Sequence, residues 1–304
     1  MQLQRKPLFK RMLGGWQLYT LILPAVITVF IFHYVPIYGL LIAFKNYRPS
    51  RGILGSEWVG LKWFVQFFHY RDFWPIIRNT LSISIYALAT FPCAVIFALM
   101  INEVRSPKYK KYVQMVSYAP HFVSTVIVCS MLILFTQYNN GLFNNLRARL
   151  GLARMDVITV PKYFSSLYVW SGVWQNVGWD TIIYLAALAG ISPELVEAAK
   201  IDGANRIKII AHVVFPGILP TIITMLILST GRVLSVGFEK VFLLQNSLNL
   251  EASRVLSTFV YEMGIENGQL SYASAIGLFN NFVNVVFILL VNTASKRISG
   301  IGLW

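Results

Sequence analysis

The sequence predicts an all-α membrane protein whose chain crosses the bilayer six times. Of its 304 residues, 56% are hydrophobic and only 12% are charged, which is about half the charged fraction of an ordinary soluble protein. The charges also avoid six long apolar segments, each able to cross about 30 Å of hydrocarbon with roughly 20 helical residues. Backbone amides in lipid must pair within their own segment, so each segment is expected to be a helix.

The first apolar segment follows a basic flank at the N-terminus. Residues 12–44 carry no formal charge, and this run is far longer than the roughly 7–15 apolar residues of a cleaved signal peptide. We therefore predict that it is retained as the first span. The six predicted spans are Leu18–Ala43, Asn79–Ile101, Tyr112–Phe135, Phe164–Ala189, Val213–Phe238 and Tyr272–Ala294.

The distribution of Lys and Arg predicts the orientation. With a cytoplasmic N-terminus, the inner segments hold 13 Lys and Arg in 60 residues, and the outer segments, roughly half as long again in total, hold 11. This bias satisfies the positive-inside rule and places both termini in the cytoplasm of a bacterial cell. The predicted organisation is a cytoplasmic tail at 1–15, a six-helix domain at 16–294 with a cytoplasmic loop at 190–215, and a second tail at 295–304.

The formal net charge of +14 is expected from this topology and from attraction to anionic lipid. No basic patch interleaved with aromatic residues lies on a soluble domain, so the charge does not indicate a nucleic-acid partner.

The loop between the fourth and fifth spans differs from the others. Ser192 is a good N-cap, Pro193 suits the first helical position, and Glu194 complements the positive helix end. A short helix is therefore predicted through Lys200. Asp202-Gly203 favours a break, after which a second helix, Ala204–Val214, leads into the membrane. Such a protruding unit suits protein docking; the alternative is an amphipathic helix on the bilayer, for which Lys200 alone is too little positive charge.

The same loop carries a motif. The string Glu197-Ala198-Ala199, three residues, Gly203, nine residues and Val213-Val214-Phe215-Pro216 resembles the cytoplasmic loop motif of type I ABC importer permeases. That motif ends in Ile-x-Leu-Pro, so this chain departs from it with Val for Ile and Phe for Leu. From about residue 80 onwards the chain is similar to the carbohydrate branch of the family, near its oligo- and polysaccharide subgroup, including Asp202-Gly203-Ala204 and Gly302-Leu303-Trp304.

The resemblance implies a type I ABC importer permease fold and a set of partners. In this family the loop forms a coupling helix in a cleft of a separate ATPase subunit, which gives a coupling role to Glu197, Ala198, Ala199, Asp202, Gly203 and Pro216. It also implies a second homologous permease, two ATP-binding subunits that hold ATP and Mg, and an extracytoplasmic solute-binding protein that delivers a saccharide.

The chain shows no catalytic constellation or cofactor site of its own. No Gly-x-x-x-x-Gly-Lys-[Ser/Thr] phosphate loop is present, so the backbone cradle for nucleotide phosphates is lacking. The four histidines are scattered and expected to be structural, and Cys93 and Cys129, both in predicted spans, are expected to be small buried hydrophobes. We predict neither a metal site nor an enzyme.

Polar residues inside the spans are candidates for the substrate pathway, because ionisable groups in a bilayer are costly. In the fourth span Asn176, Trp179, Asp180 and Tyr184 combine aromatic faces with amide and carboxylate groups, as a sugar site requires. Several of them are three or four residues apart and can share a helix face. The alternative for Asp180 is a stabilising contact with a neighbouring helix.

Three further candidates lie in the last two spans. Arg232, near the outer end of the fifth span, could face Asp180 or an acidic sugar, or reach the headgroups instead. Asn280 and Asn284 form an i, i+4 pair in the sixth span, where amides also hold helices together.

The outer segments carry 11 Lys and Arg against seven Asp and Glu, a balance that would guide an anionic saccharide or an acidic binding protein. The sequence thus predicts a permease subunit of an ATP-driven, binding-protein-dependent saccharide importer, with an oligo- or polysaccharide as substrate. The alternatives are an ABC permease for an amino acid or ion, and a secondary transporter or channel outside the ABC class.

Overall fold

The protein is represented by a computed structural model, which describes residues 16–303. The predicted tail at 1–15 and Trp304 lie outside the described residues. Within them, four helical segments are long and apolar enough to cross a membrane, and two helix pairs reach that length across a sharp bend. The four are Trp16–Phe44, Phe73–Asn102, Arg206–Thr230 and Leu270–Ser299; the bent pairs are Pro107–Phe122 with Thr125–Thr136 and Pro161–Ala189 with Pro193–Ile201.

The first part of the described chain consists of span 1 and a short outer segment. Span 1 is helix α1 (Trp16–Val29), a π-helical turn (Phe30–Tyr34) and a 3₁₀ segment (Val35–Phe44). Strands β1 (Lys45–Asn46) and β2 (Glu57–Trp58) then form an antiparallel pair in which Lys45 is opposite Trp58. Between and after the strands lie a 3₁₀ turn (Pro49–Arg51) and helices α2 (Gly52–Gly55) and α3 (Lys62–Phe68).

The remainder is helical, with connecting turns. Span 2 is α4 (Phe73–Ala89) and α5 (Pro92–Asn102), and span 3 is α6 (Pro107–Tyr118), a 3₁₀ turn (Ala119–Phe122) and α7 (Thr125–Thr136). Helix α8 (Leu142–Arg149) precedes span 4, α9 (Pro161–Ala189), which leads to α10 (Pro193–Ile201). Span 5 is α11 (Arg206–Ile209), a π turn (Ile210–Val214) and α12 (Phe215–Thr230). Then follow α13 (Phe238–Leu244), α14 (Leu250–Ser253), α15 (Leu256–Tyr261), a π turn (Glu262–Glu266) and span 6, α16 (Leu270–Ser299).

The third span, predicted as a helix at Tyr112–Phe135, is broken into two helices. Its two halves meet at an angle of 95°, because Pro120 lies in the turn and has no backbone N–H to continue the α-helical ladder. Ser124 then caps the second half, its hydroxyl accepting a hydrogen bond from the Ile127 N–H at 3.4 Å. His121 lies in the 3₁₀ turn that ends the first half, next to the break.

The fifth span also ends earlier than predicted. Helix α12 stops at Thr230 instead of continuing to Phe238, and residues 231–237 form turns. Asn284 of span 6 supports these turns, because its Oδ1 accepts a hydrogen bond from the Leu234 N–H (3.0 Å) and its Nδ2 donates one to Ser235 Oγ (2.9 Å). Arg232 therefore lies in a turn beyond the helix.

Three buried apolar clusters hold the described helices together. At the end of the bundle that carries α10, residues of α5, α9 and α12 pack around Tyr184, Leu188 and Ile218, and Val196 and Ala199 of α10 rest against this cluster. The other two clusters join spans 2 and 6 to α3 and α15, and spans 2 and 4 to α7 and α13. The α10 helix is thereby packed onto the spans instead of standing free.

Candidate functional site

One face of α9 carries a row of polar and aromatic positions. Gly172, Asn176, Asp180 and Tyr184 follow one another at intervals of four residues and so share one face of the helix. They line an open cavity of about 1070 Å³ between α9, span 2, the end of span 5 and the start of α13. A cavity of this volume can hold several sugar rings or a ligand of similar size.

Five of the seven predicted pathway residues line this cavity: Asn176, Trp179, Asp180, Tyr184 and Arg232. The other two, Asn280 and Asn284, do not line it. Asn284 is buried and tied to the 231–237 turns, while Asn280 Oδ1 is buried without a hydrogen-bond partner among the described residues. Contact of any of the seven with a substrate stays a prediction.

His121, which sequence reasoning set aside as structural, packs behind the cavity wall against Asn176 and Trp179. Its ring lies parallel to that of Trp179 with the centres 4.4 Å apart, and its Nδ1 donates to Asn176 Oδ1 at 2.9 Å. Phe122 meets the same indole edge-on at 5.5 Å. One face of Trp179 is therefore already covered, which leaves the other face for a ligand. No local motif reveals the contact of His121 with Trp179 and Asn176, because that contact depends on the break in span 3.

Arg232 does not pair with Asp180. The ion pairs among residues 16–303 are those of Arg206 with Glu103 and of Arg254 with Asp72 and Glu262. Arg232 is exposed at the rim of the cavity, where it can meet a ligand, a headgroup or a partner chain.

Lys240 is a second cavity cation, which sequence reasoning placed in an outer loop. It is 9% exposed, and its Nζ donates to the Tyr168 carbonyl at 2.9 Å and lies 5.0 Å from the centre of the Tyr168 ring. Tyr168 and Lys240 both line the cavity. The order of apolar and polar residues in 238–244 does not predict that the Lys240 side chain is buried.

The loop after α9 has the local structure that its sequence predicts. The Ser192 hydroxyl accepts a hydrogen bond from the Glu194 N–H at 3.3 Å, and α10 ends at Ile201. Gly203 adopts a φ of 76°, a conformation that strongly favours glycine, while the Ala204 N–H bonds back to the Ala199 carbonyl at 2.9 Å. The helix predicted at Ala204–Val214 begins at Arg206, two residues later than predicted, and Pro216 lies at the start of α12.

The two sides of α10 have different environments. Val196 and Ala199 face the spans, whereas Leu195 and Ile201 are 58% and 87% exposed. Glu197 and Ala198 are exposed as well. Exposed apolar residues beside a carboxylate form a surface suited to another protein. The coupling role predicted for Ala199 stays a prediction.

A salt bridge joins this loop to the turn between spans 2 and 3. Arg206 Nε lies 2.7 Å from Glu103 Oε2, and Arg206 Nη2 also donates to the Glu103 carbonyl at 3.1 Å. The pair therefore connects the loop that carries α10 with the end of α5.

Comparisons with known proteins agree with this architecture. The chain is 40% identical over 302 residues to the polygalacturonan/rhamnogalacturonan transport system permease protein YteP of Bacillus subtilis (strain 168), covering 99% of this chain and 94% of the relative. It is 41% identical over 288 residues to Protein LplB of the same strain, covering 94% and 91%.

Two crystal structures of a bacterial transporter for the acidic polysaccharide alginate are similar throughout. The first, of the ABC transporter, has a TM-score of 0.88 with 39% identity, covering 96% of this chain and 99% of that one. The second, in complex with an alginate pentasaccharide-bound periplasmic protein, has a TM-score of 0.89 with 38% identity, covering 97% and 99%.

The family comparison identifies the class. Residues 71–300 match the family described as "Binding-protein-dependent transport system inner membrane component". This match covers most of the chain and includes both the loop around α10 and the cavity. The chain therefore belongs to the family of inner membrane components of binding-protein-dependent transport systems, and is an ABC importer permease rather than an enzyme.

Proposed function

We propose that this chain is one permease subunit of an ATP-driven importer of oligo- or polysaccharides, and that its substrates are acidic. The observation that carries the proposal is the polar face of α9, where amide, carboxylate and aromatic groups line a cavity of about 1070 Å³. Aromatic rings stack on the C–H faces of sugars, and amides and carboxylates bond to their hydroxyl groups. The whole-length likeness to permeases named for polygalacturonan and alginate supports the same substrate class.

A second permease would complete the pathway. The cavity is not enclosed by this chain alone, and a pathway through a membrane must be closed to lipid all round. The described residues of the first half of span 1 are exposed throughout, so this chain also offers apolar surface to a partner or to lipid. A homologous second permease facing the open side would supply the missing wall, and the solute-binding protein would deliver saccharide from outside.

Two ATP-binding subunits would act through α10. The side of α10 with Leu195, Glu197 and Ile201 faces away from the spans, while Val196 and Ala199 pack onto α5, α9 and α12. A displacement of α10 by a closing ATPase would therefore move the helices that line the cavity. Such rigid-body switching would alternate the access of the cavity between the two sides of the membrane. ATP and Mg would be held by those partner subunits.

The proposed location is the bacterial inner membrane with both termini in the cytoplasm. The density of Lys and Arg in the inner segments supports this orientation. It places α10 and the Glu103–Arg206 pair on the side where ATP is available, and α8 and the 239–271 segment on the side of the binding protein.

The proposal is tested by the ATPase activity of the assembled transporter in proteoliposomes, with its binding protein and a panel of neutral and acidic oligosaccharides. We expect acidic oligosaccharides to stimulate hydrolysis and to be taken up. Stimulation by neutral sugars alone would refute the acidic substrate class, and stimulation only by an amino acid or ion would refute the saccharide assignment. If no ATPase subunit co-purifies with this permease, the proposed assembly as an ABC importer is contradicted.

A further inference from the structure

Lys240 has an environment that does not satisfy a cation. Only 9% of the residue is exposed, and the ion pairs of the described chain, formed by Arg206 and Arg254, do not include it. Its Nζ contacts the Tyr168 carbonyl at 2.9 Å and the Tyr168 ring at 5.0 Å. The ammonium group is thus held by dipoles and an aromatic face, and it lacks a counterion.

A buried cation without a counterion is unfavourable, because desolvation of the ammonium is not fully repaid by neutral partners. Burial accordingly lowers the pKa of Lys240 to about 8. Substitution by an apolar residue of similar length would remove this cost. The presence of lysine at this position therefore points to an anionic group that reaches it during function.

The surroundings of Lys240 leave room for such a group. A β-carbon at Gly172 would lie 3.4 Å from Lys240 Nζ, so the missing side chain of Gly172 keeps one side of the ammonium clear. Gly172 and Lys240 line the same cavity as Asn176 and Asp180. Eight residues of helix separate Gly172 from Asp180, or about 12 Å, which spans two or three sugar rings.

We propose that Lys240 binds a carboxylate of the saccharide in the cavity and makes the permease selective for sugars that carry a uronic acid. This inference rests on the proposed function and assigns the acidic selectivity to one side chain of the permease in addition to any selectivity of the binding protein. A charge-assisted hydrogen bond from the ammonium to the carboxylate would supply the counterion that residues 16–303 do not provide.

The test compares Lys240→Gln and Lys240→Arg with the unmodified protein in the complete transporter. The probe is an oligosaccharide of a uronic acid, offered with its binding protein, beside the same oligosaccharide with its carboxyl groups reduced to alcohols. Lys62→Gln is the matched control, because Lys62 is a cation of the outer segment over the Trp63 ring and lies outside the cavity. Thermal stability of each assembly is measured in parallel.

We expect Lys240→Gln to raise the KM for the acidic oligosaccharide roughly tenfold or more, the loss typical of one hydrogen bond to a charged group. Lys240→Arg should retain most of the affinity, and Lys62→Gln should match the unmodified protein. An unchanged KM in Lys240→Gln, or an equal loss for the acidic and the reduced sugar, would overturn the proposal. If the unmodified transporter moves no saccharide at all, the proposed function fails instead, which is a separate result.

Should Lys240→Gln fail to assemble, the pH profile of the unmodified transporter provides the second test. The titratable groups near Lys240 are Tyr168, Cys129, whose thiol donates to the Lys240 carbonyl at 4.0 Å, and the adjacent Glu239. Preference for the acidic over the reduced sugar should fall as pH rises through about 8, and this fall should be absent in Lys240→Arg. A preference that does not change with pH would refute the role of Lys240.

Discussion

Gly178 of α9 lies directly against the backbone carbonyl of Ser117 near the end of α6, and a β-carbon at Gly178 would overlap that carbonyl. The two helices therefore touch through their backbones at this point. The contact lies between Asn176 and Trp179 in sequence, and it brings the break in span 3 close enough for His121 to reach both side chains. A single glycine thus supports the wall of the cavity.

We predict that Gly178→Ala forces α6 and α9 apart and destabilises the permease by about 1–3 kcal/mol, the usual cost of overpacking. The measurement is the thermal unfolding of the purified protein in detergent. Gly277→Ala in α16 is the control, because a β-carbon there would meet no atom within 4 Å beyond its chain neighbours and the nearby backbone of its own helix. Equal melting temperatures for the two variants would show that the Gly178 contact is not tight in solution.

The covered face of Trp179 leads to a second prediction. Since His121 stacks on one face of the indole, a sugar can stack only on the other, and Trp179→Leu should remove that platform. We expect KM for the saccharide to rise several-fold, consistent with about 0.5–1.5 kcal/mol for one aromatic stacking contact. Trp174→Leu is the control, because Trp174 is exposed on α9 but does not line the cavity. Similar KM values in both variants would argue against stacking.

The backbone at Gly203 gives a third prediction. Because its φ is 76°, any side chain there is strained by roughly 1–2 kcal/mol, and proline, whose φ is fixed near −65°, cannot adopt it. Gly203→Pro should therefore displace α10 and abolish the stimulation of ATP hydrolysis by loaded binding protein, while insertion remains normal. Gly190→Ala is the control, since Gly190 precedes the same helix with a φ of −83°. Normal stimulation in Gly203→Pro would refute the assignment of this loop to coupling.

Reversal of the charge at Glu197 provides a fourth prediction. Its carboxylate is exposed on the side of α10 that faces away from the spans, so Glu197→Lys should leave folding intact and weaken association with the ATPase subunits. We expect at least a tenfold loss of affinity, because reversal places like charges together at an interface. Glu251→Lys, an exposed carboxylate at the other end of the protein, should bind the ATPase subunits normally. For both variants, the co-purification yield measures association with the ATPase subunits, and ATP-dependent uptake measures its consequence for transport.

The sequence predicted the features that depend on neighbouring residues. The conformational preferences of Ser192, Pro193 and Gly203 predicted where α10 starts and ends. The lengths of the apolar runs predicted six spans. The remaining features depend on distant contacts. Pro120 lies at the break within span 3, but the long apolar run around it led to the prediction of one helix without the 95° bend. Lys240 is buried by Tyr168, 72 residues earlier in the chain, and no local pattern reports that contact.

The Glu103–Arg206 pair leads to the last prediction, on how motion of α10 reaches the spans. Arg206 follows Gly203 at the entry to span 5. Glu103 directly follows α5, and Ala98 of that helix belongs to the buried cluster against which α10 packs. Both side chains are partly exposed, so the pair should contribute only about 0.2–1 kcal/mol to stability. Its effect is expected on coupling instead, because it fixes the position of the loop relative to span 2.

We therefore expect Glu103→Arg and Arg206→Glu each to lower the number of saccharides imported per ATP hydrolysed, with little change in melting temperature. The double variant, which exchanges the two charges, should recover much of the loss because the attraction is restored. Uptake and ATP hydrolysis measured in the same proteoliposomes give this ratio directly. Additive losses in the double variant would mean that the two residues act separately, and the salt bridge would then have no part in transmitting the motion of α10.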